Sequence, residues 1–208
     1  MQSKNYGSIK IILGCMFSGK TTELIREFRE WTSINKKPLC INFIDDDRYG
    51  NTFNNMYNHN EMSIECIKVS CLAEVPQSLI DSTEIILINE GQFFPDLVTY
   101  CQSWCDDFNK NIIVSGLDGD YMRKPFGKIL DLIPYADHVV KLNAFCQKCK
   151  NGKKAPFTYR KSNETEQIII DGANSYEALC RGCFIELTNK NKSQELSKHQ
   201  SNKYLERI

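Results

Sequence analysis

The sequence predicts an α/β domain organised on a central, mostly parallel sheet, with a small zinc-ribbon-like unit after it. Three observations predict this. Short runs rich in Ile, Val and Leu alternate with stretches whose apolar residues recur at helical spacing, the pattern of strands covered on both faces. The first run turns into a helix through GCMFSGKTT, Gly14 to Thr22. Two Cys-x-x-Cys pairs, Cys146 with Cys149 and Cys180 with Cys183, stand in the last third of the chain.

Residues 8 to 13 form the first strand, with Ile9, Ile11, Ile12 and Leu13 as core. The stretch behind it reads GxxxxGKT. Its glycines permit backbone torsions closed to other residues, so successive N–H groups can point inward and wrap the oxygens of a nucleotide's phosphates. Lys20 then reaches the β and γ phosphates, and Thr21 offers an oxygen to Mg²⁺. The following helix runs to about Ser33, with Leu24, Ile25, Phe28 and Trp31 on one side and Glu23, Arg26, Arg29 and Glu30 facing outward.

PLCINFI, Pro38 to Ile44, reads as a second strand that empties into the polar loop DDDRYGN. A solvated turn is one reading of that loop. In a parallel sheet it also leaves at the same edge as the phosphate loop, which brings Arg48 within reach of a phosphate. The Asn-rich residues 51 to 61 read as irregular, MSIECIKVS as a short strand, and Leu72 to Ile80 as helical.

Glu84 to Asn89 is the third central strand, and it ends in NEGQFFPD. A phosphate-loop kinase needs acidic groups at such a strand end, one for the magnesium shell and one to take the proton of the attacking hydroxyl. Glu90 is the candidate base. Asn89 stands at the magnesium position and brings no negative charge, so Asp46 or Asp118 could compensate. Pro95 opens the next helix, whose face carries Leu97, Val98, Cys101, Trp104, Cys105 and Phe108; Cys101 and Cys105 read as core, not as metal ligands. Asn111 to Leu117 is a fourth strand. It leads into DGDYMRKPFGK, where glycines and Pro125 set the course of a loop carrying Tyr121, Arg123, Lys124 and Phe126. His138 to Leu142 is a fifth strand, and the first domain spans residues 1–143.

The second unit spans 144–187. Each Cys-x-x-Cys presents two thiolates from one tight knuckle, and Cys146, Cys149, Cys180 and Cys183 together complete a tetrahedron of soft ligands with no open position, the signature of structural Zn²⁺. A redox pair or an iron–sulfur cluster is the alternative; there is no thioredoxin-like context, and the spacing differs from ferredoxin runs. Between the knuckles, FTYRK and EQIII read as a hairpin joined by SNET, a flap pinned at both ends by metal. The tail from Thr188 is polar, charged and read as disordered.

Lys+Arg and Asp+Glu are both 26, so nothing in the charge favours a nucleic-acid backbone or an anionic membrane as partner. No apolar run marks a signal peptide or a membrane span, and six of the ten cysteines are scattered on apolar faces, which fits a reducing, cytoplasmic setting.

Taken jointly, GxMFSGKTTELIR, EGQFFPD, LDGxxxRKPFG and two Cys-x-x-Cys pairs around FTxR resemble the type II thymidine kinases, the family of the cytosolic vertebrate, poxviral and many bacterial enzymes. The resemblance runs in order from about Ile9 to Leu187. It implies transfer of the γ-phosphoryl of ATP to the 5′-hydroxyl of thymidine, with Mg²⁺, on a phosphate-loop domain plus a zinc-bearing lasso. By position, Gly14, Cys15, Met16, Phe17, Ser18, Gly19, Lys20 and Thr21 hold the phosphates, and Glu90 is the proton acceptor. Asp46, Asp47 and Arg48, with Asn89, Glu90, Gly91 and Gln92, line the phosphate side. Tyr121 contacts the nucleoside. Gln167, Ile168, Ile169, Ile170, Asp171 and Tyr176 hold the base, and Met16, Phe93, Leu117, Phe126 and Thr158 complete the pocket. The family usually has Asp where this chain has Asn89, and often a small residue where it has Asp171.

Thymine offers one N–H flanked by two carbonyls, which the main chain of an extended segment such as Ile168 to Asp171 can match; cytosine would leave buried groups unpaired. The resemblance also implies a homotetramer and inhibition by dTTP. Two other readings of the same residues stand beside it. One is a zinc-ribbon nucleic-acid module with an attached NTPase, which the neutral composition opposes. The other is a nucleotide-binding relative impaired in catalysis, motivated by Asn89.

Overall fold

The computed structural model describes residues 6–44, the backbone of 55–57, and residues 63–162, 164, 166, 167 and 175–191. Its centre is a six-stranded sheet made by β1 (Ser8–Gly14), β2 (Leu39–Phe43), β5 (Ile67–Val69), β6 (Ile85–Ile88), β7 (Asn111–Gly116) and β8 (His138–Leu142). Their order is β5-β2-β6-β7-β1-β8, and every neighbouring pair is parallel. All six carboxyl ends therefore lie along one edge.

Period-two alternation divides the core between the two faces of the sheet. Ile9, Ile11, Ile86, Ile88, Ile112 and Val114 point to one side, where Leu97, Cys101 and Trp104 of α3 (Leu97–Asp106) close over them with Ile129 and Leu132. Ile12, Ile85, Leu87 and Ile113 point to the other, against Leu24 and Ile25 of α1 (Lys20–Ser33). On that second face Lys10 is paired with the buried Glu27 of α1 at 2.6 Å.

The run MSIECIKVS divides at Cys66. Ser63–Glu65 (β4) pairs antiparallel with Asn55–Tyr57 (β3), while β5 joins the edge of the main sheet. The helix expected over 72–80 is also interrupted, because Pro76 has no N–H and holds Val75 extended. A single turn at Leu72–Glu74 precedes it, and α2 starts at Gln77 and ends at Ser82. Pro95 lies outside α3, whose N-cap is Asp96. That carboxylate accepts the backbone N–H groups of Leu72 and Ala73, at 3.1 and 3.0 Å, and ties the two segments together.

The cysteine-rich unit has its own small core of Ala144, Ala155, Ala178, Leu179 and Phe184, which Cys15 joins from the turn after β1. Here the structure adds a strand to the expected hairpin. Phe157–Arg160 (β11) pairs with Tyr176–Leu179 (β12), a partner the sequence reading did not offer; of EQIII, Glu166 and Gln167 are not in a strand and 168–170 lie outside the described residues. A second pair joins Ala144–Phe145 (β9) to Lys154–Ala155 (β10). β12 covers one edge of β11, and its adjacent Ala178 and Leu179 are both fully buried. The last helix, α4, covers 181–191 and so runs past the boundary expected at 187. Among the described residues no helix is long and apolar enough to cross a membrane.

Candidate active site

The turn from Cys15 to Gly19 follows β1 directly, and two of its residues adopt the left-handed region, Phe17 at φ 64° and Gly19 at φ 88°. The carbonyl of Cys15 is the hub of the turn. It accepts the Ser18 hydroxyl at 2.8 Å and the Lys20 ammonium at 2.9 Å. Two further bonds leave this turn for the cysteine-rich unit: the N–H of Met16 donates to Thr158 Oγ1 at 3.0 Å, and the Cys15 thiol donates to the carbonyl of Ala155 at 3.1 Å. Burial pushes the Cys15 thiol up, which keeps it a neutral donor.

At the end of β6, Asn89 is bound on both sides. Its Nδ2 donates to Asn42 Oδ1 at 3.0 Å, and its Oδ1 accepts the Ser115 hydroxyl at 2.9 Å. This buried triad crosses three adjacent strands without a formal charge. Glu90 follows with φ 54°, a left-handed backbone that is costly for a residue with a Cβ. Its carboxylate is 4 % exposed and accepts Gln92 Nε2 at 2.6 Å. Asp118, a candidate to replace the missing charge at position 89, is ion-paired with Lys141.

The loop after β7 is closed by Asp120, whose Oδ1 accepts the N–H groups of Met122 and Lys124, both at 2.8 Å. Asp120 Oδ2 accepts Gln167 Nε2 at 3.0 Å, which joins this loop to the cysteine-rich unit. Tyr121 lies beneath the Arg160 guanidinium, 3.9 Å from its ring centroid. Arg160 is itself buried and donates to the carbonyls of Glu164, Glu166 and Gln167 and to the Tyr176 hydroxyl. Arg123 is placed over the rings of Phe184 and Phe157, at 4.7 and 5.4 Å, and so is drawn to the cysteine-rich unit. Phe126 is buried edge-on against Phe93 with ring centroids 5.5 Å apart.

The Sγ atoms of Cys146, Cys149, Cys180 and Cys183 lie within 4.8 Å of one another. Four sulfurs at Zn–S bonds of 2.3 Å would stand about 3.8 Å apart, so the cluster fits tetrahedral zinc with little adjustment. Burial opposes the Cys146 thiolate, but N–H groups of Cys180, Cys149 and Lys148 outweigh it and bring that thiol down to about 6. Burial and the three neighbouring sulfurs push Cys183 up to about 12, as expected where several thiols crowd one site without a cation. Cys101 and Cys105 are core, both raised by burial, Cys105 to about 11.

Of the residues singled out by sequence, the structure joins Met16 to Thr158, Glu90 to Gln92, and Gln92 to Leu117, whose N–H donates to Gln92 Oε1 at 2.9 Å. Asp46, Asp47, Arg48 and the segment 168–171 lie outside the described residues. Arg160 and Asp120 escaped the sequence reading. Both left a trace: an arginine on the inward face of the alternating strand FTYR, and an aspartate two residues before a turn.

These contacts define an α/β protein whose turn at the carboxyl end of β1 is bonded directly to a unit with four clustered cysteines able to hold a metal. The chain belongs to the thymidine kinase family, whose model matches residues 7–184. It is 42 % identical over 182 residues to the thymidine kinase of vaccinia virus strain Western Reserve, covering 88 % of this chain and 99 % of that one. The same identity and coverage hold for a variola virus thymidine kinase. The cytosolic thymidine kinase of Homo sapiens is 41 % identical over 184 residues, 88 % of this chain and 76 % of the human protein.

Proposed function

We propose that the protein transfers the γ-phosphoryl of ATP to the 5′-hydroxyl of thymidine. The donor site lies on residues 1–143, and the zinc-pinned lasso of 144–187 covers the nucleoside. The observation that carries this reading is the pair of bonds from the turn after β1 to the lasso, Met16 to Thr158 and Cys15 to Ala155. They join the turn read as phosphate-binding to Thr158, read as part of the pocket wall, and to Ala155 three residues before it, which supports the reading.

In this reading Gly14 to Thr21 hold the phosphates and Lys20 releases the Cys15 carbonyl to meet them. Asp46, Asp47, Arg48, Asn89, Gly91 and Gln92 border the phosphate side. Mg²⁺, when bound, neutralises charge on the phosphates. Glu90 takes the proton of the 5′-hydroxyl as its oxygen bonds to the γ-phosphorus and the bond to the β–γ bridging oxygen breaks. Tyr121, Leu117 and Tyr176 border the nucleoside, with Gln167 to Asp171 along the base. Zinc supplies rigidity to the lasso, held by the four cysteines. The reading extends to a cytoplasmic homotetramer inhibited by dTTP.

A phosphate-transfer assay with labelled ATP, Mg²⁺ and the four deoxynucleosides tests it. Label should pass to thymidine and not to deoxycytidine or the purine nucleosides. Transfer to none of the four, by zinc-loaded protein, would defeat the proposal.

A further inference from the structure

Between the strand end that carries Glu90 and the strand end that leads to Leu117 lies Gln92, only 3 % exposed. Both ends of its amide are engaged: Nε2 donates to Glu90 Oε2 at 2.6 Å, and Oε1 accepts the Leu117 N–H at 2.9 Å. The orientation is fixed by chemistry. Turned over, the amide would set oxygen against carboxylate and NH₂ against N–H. The surrounding backbone is shaped to this residue as well. A Cβ on Gly116 would stand 2.4 Å from Gln92 Oε1, and one on Gly127 would stand 1.8 Å from the Gln92 carbonyl oxygen. Two separate segments thus go without side chains where they pass it, Gly127 at a φ of +57°.

We propose that Gln92 is the positioning residue for Glu90, a strut that runs from the end of β7 to the carboxylate and aims it at the nucleoside's 5′-hydroxyl. This rests on the reading of Glu90 as proton acceptor, and it moves Gln92 from the phosphate side to the acceptor side. A free glutamate samples several rotamers. A short bond to an ionised acceptor holds one of them, and proton transfer in a phosphoryl-transfer site needs that kind of placement. Because the far end of the strut is the N–H of Leu117, the base and one wall of the nucleoside pocket share a single reference point. Contact with a phosphate would require the amide to give up one of its two partners.

The test is a double-mutant cycle on the zinc-loaded enzyme, reading kcat, the KM for ATP, thymidine affinity by calorimetry and thermal melting. Gln92→Met should lower kcat by about 10- to 100-fold, the size of one lost hydrogen bond to a charged group, with the KM for ATP unchanged. In the Glu90→Gln background the same substitution should cost less than about threefold, because a positioning residue has nothing left to position. A full multiplicative loss in that background, or a raised KM for ATP at unchanged kcat, overturns the proposal. An undiminished kcat in Glu90→Gln alone removes the base, and the strut with it, which separates that failure from the first. If Gln92→Met does not fold, Gln92→Glu keeps an acceptor for Leu117 and sets a like charge against Glu90. The same fall in kcat is expected, and an unchanged kcat overturns the proposal.

Discussion

Replacing Arg160 by Met should uncouple the lasso from its ligand while leaving the metal cluster in place. The guanidinium holds three loop carbonyls, the Tyr176 hydroxyl and the face of Tyr121, and its Nε has no hydrogen-bond partner among the described residues. Adding all four hydrogen bonds would overstate the loss, since the loop carbonyls regain water once the loop lifts. Counting one charge-assisted bond, about 1.5–3 kcal/mol, and about 1 kcal/mol for the ring contact gives roughly 2–4 kcal/mol. If the loop must be reordered when thymidine binds, that cost reduces affinity by roughly 30- to 800-fold. Calorimetry with thymidine reads it directly, and metal analysis of the same sample should still find zinc. Arg160→Lys should fall between the two, because an ammonium keeps the charge and loses the planar fork. Thymidine affinity within threefold of the parent in Arg160→Met would refute the reasoning, since Arg160 would then not be what orders the loop.

Glu90→Gln should lower turnover by roughly 10² to 10⁴ with thymidine affinity nearly intact, as measured by kcat beside calorimetry. Asn89→Asp cannot donate to Asn42 Oδ1, so either the Asn42 amide turns over or a buried charge is left unpaired. Melting without Mg²⁺ should fall by the equivalent of about 1–3 kcal/mol, and the Mg²⁺ needed for half-maximal rate should drop; an unchanged Mg²⁺ requirement would show that position 89 lies off the metal. Gly127→Ala drives a methyl into the Gln92 carbonyl at a left-handed φ, and about 2–4 kcal/mol of stability should go, a melting shift of roughly 5–15 °C. A chelator should open residues 144–191 to proteolysis, because structural zinc is worth about 10–16 kcal/mol and a whole domain only about 5–15. An unchanged cleavage pattern after zinc loss would contradict that.

Five of the six strands of the sheet were legible because each is a short run rich in Ile, Val and Leu, from Ile9–Leu13 to His138–Leu142; the edge strand β5 was read as one piece with β4. The metal cluster was legible because thiol spacing is itself the geometry. Partners were not. FTYR carries nothing that says it pairs with Tyr176–Leu179, since many short segments could cover one edge of it. Long-range side-chain bonds such as Asp120 to Gln167, or Gln92 to Leu117, join residues that have no sequence relation, so no local pattern announces them. Thr158 was expected in the pocket wall, and its hydroxyl accepts the Met16 N–H, a partner that no local pattern announced. The residue type was informative and the bond it makes was not.

That last bond has a thermodynamic corollary. Under the proposed assignment, with the nucleotide on the turn after β1 and the nucleoside under the lasso, the bonds of Met16 and Cys15 join the two grips. Any change in nucleoside affinity on loading the phosphate turn must be returned in full, as the same factor in nucleotide affinity. Calorimetric titrations run in both orders would measure that factor twice. A molecule spanning both halves would profit from a fold whose two hands are already joined at the wrist.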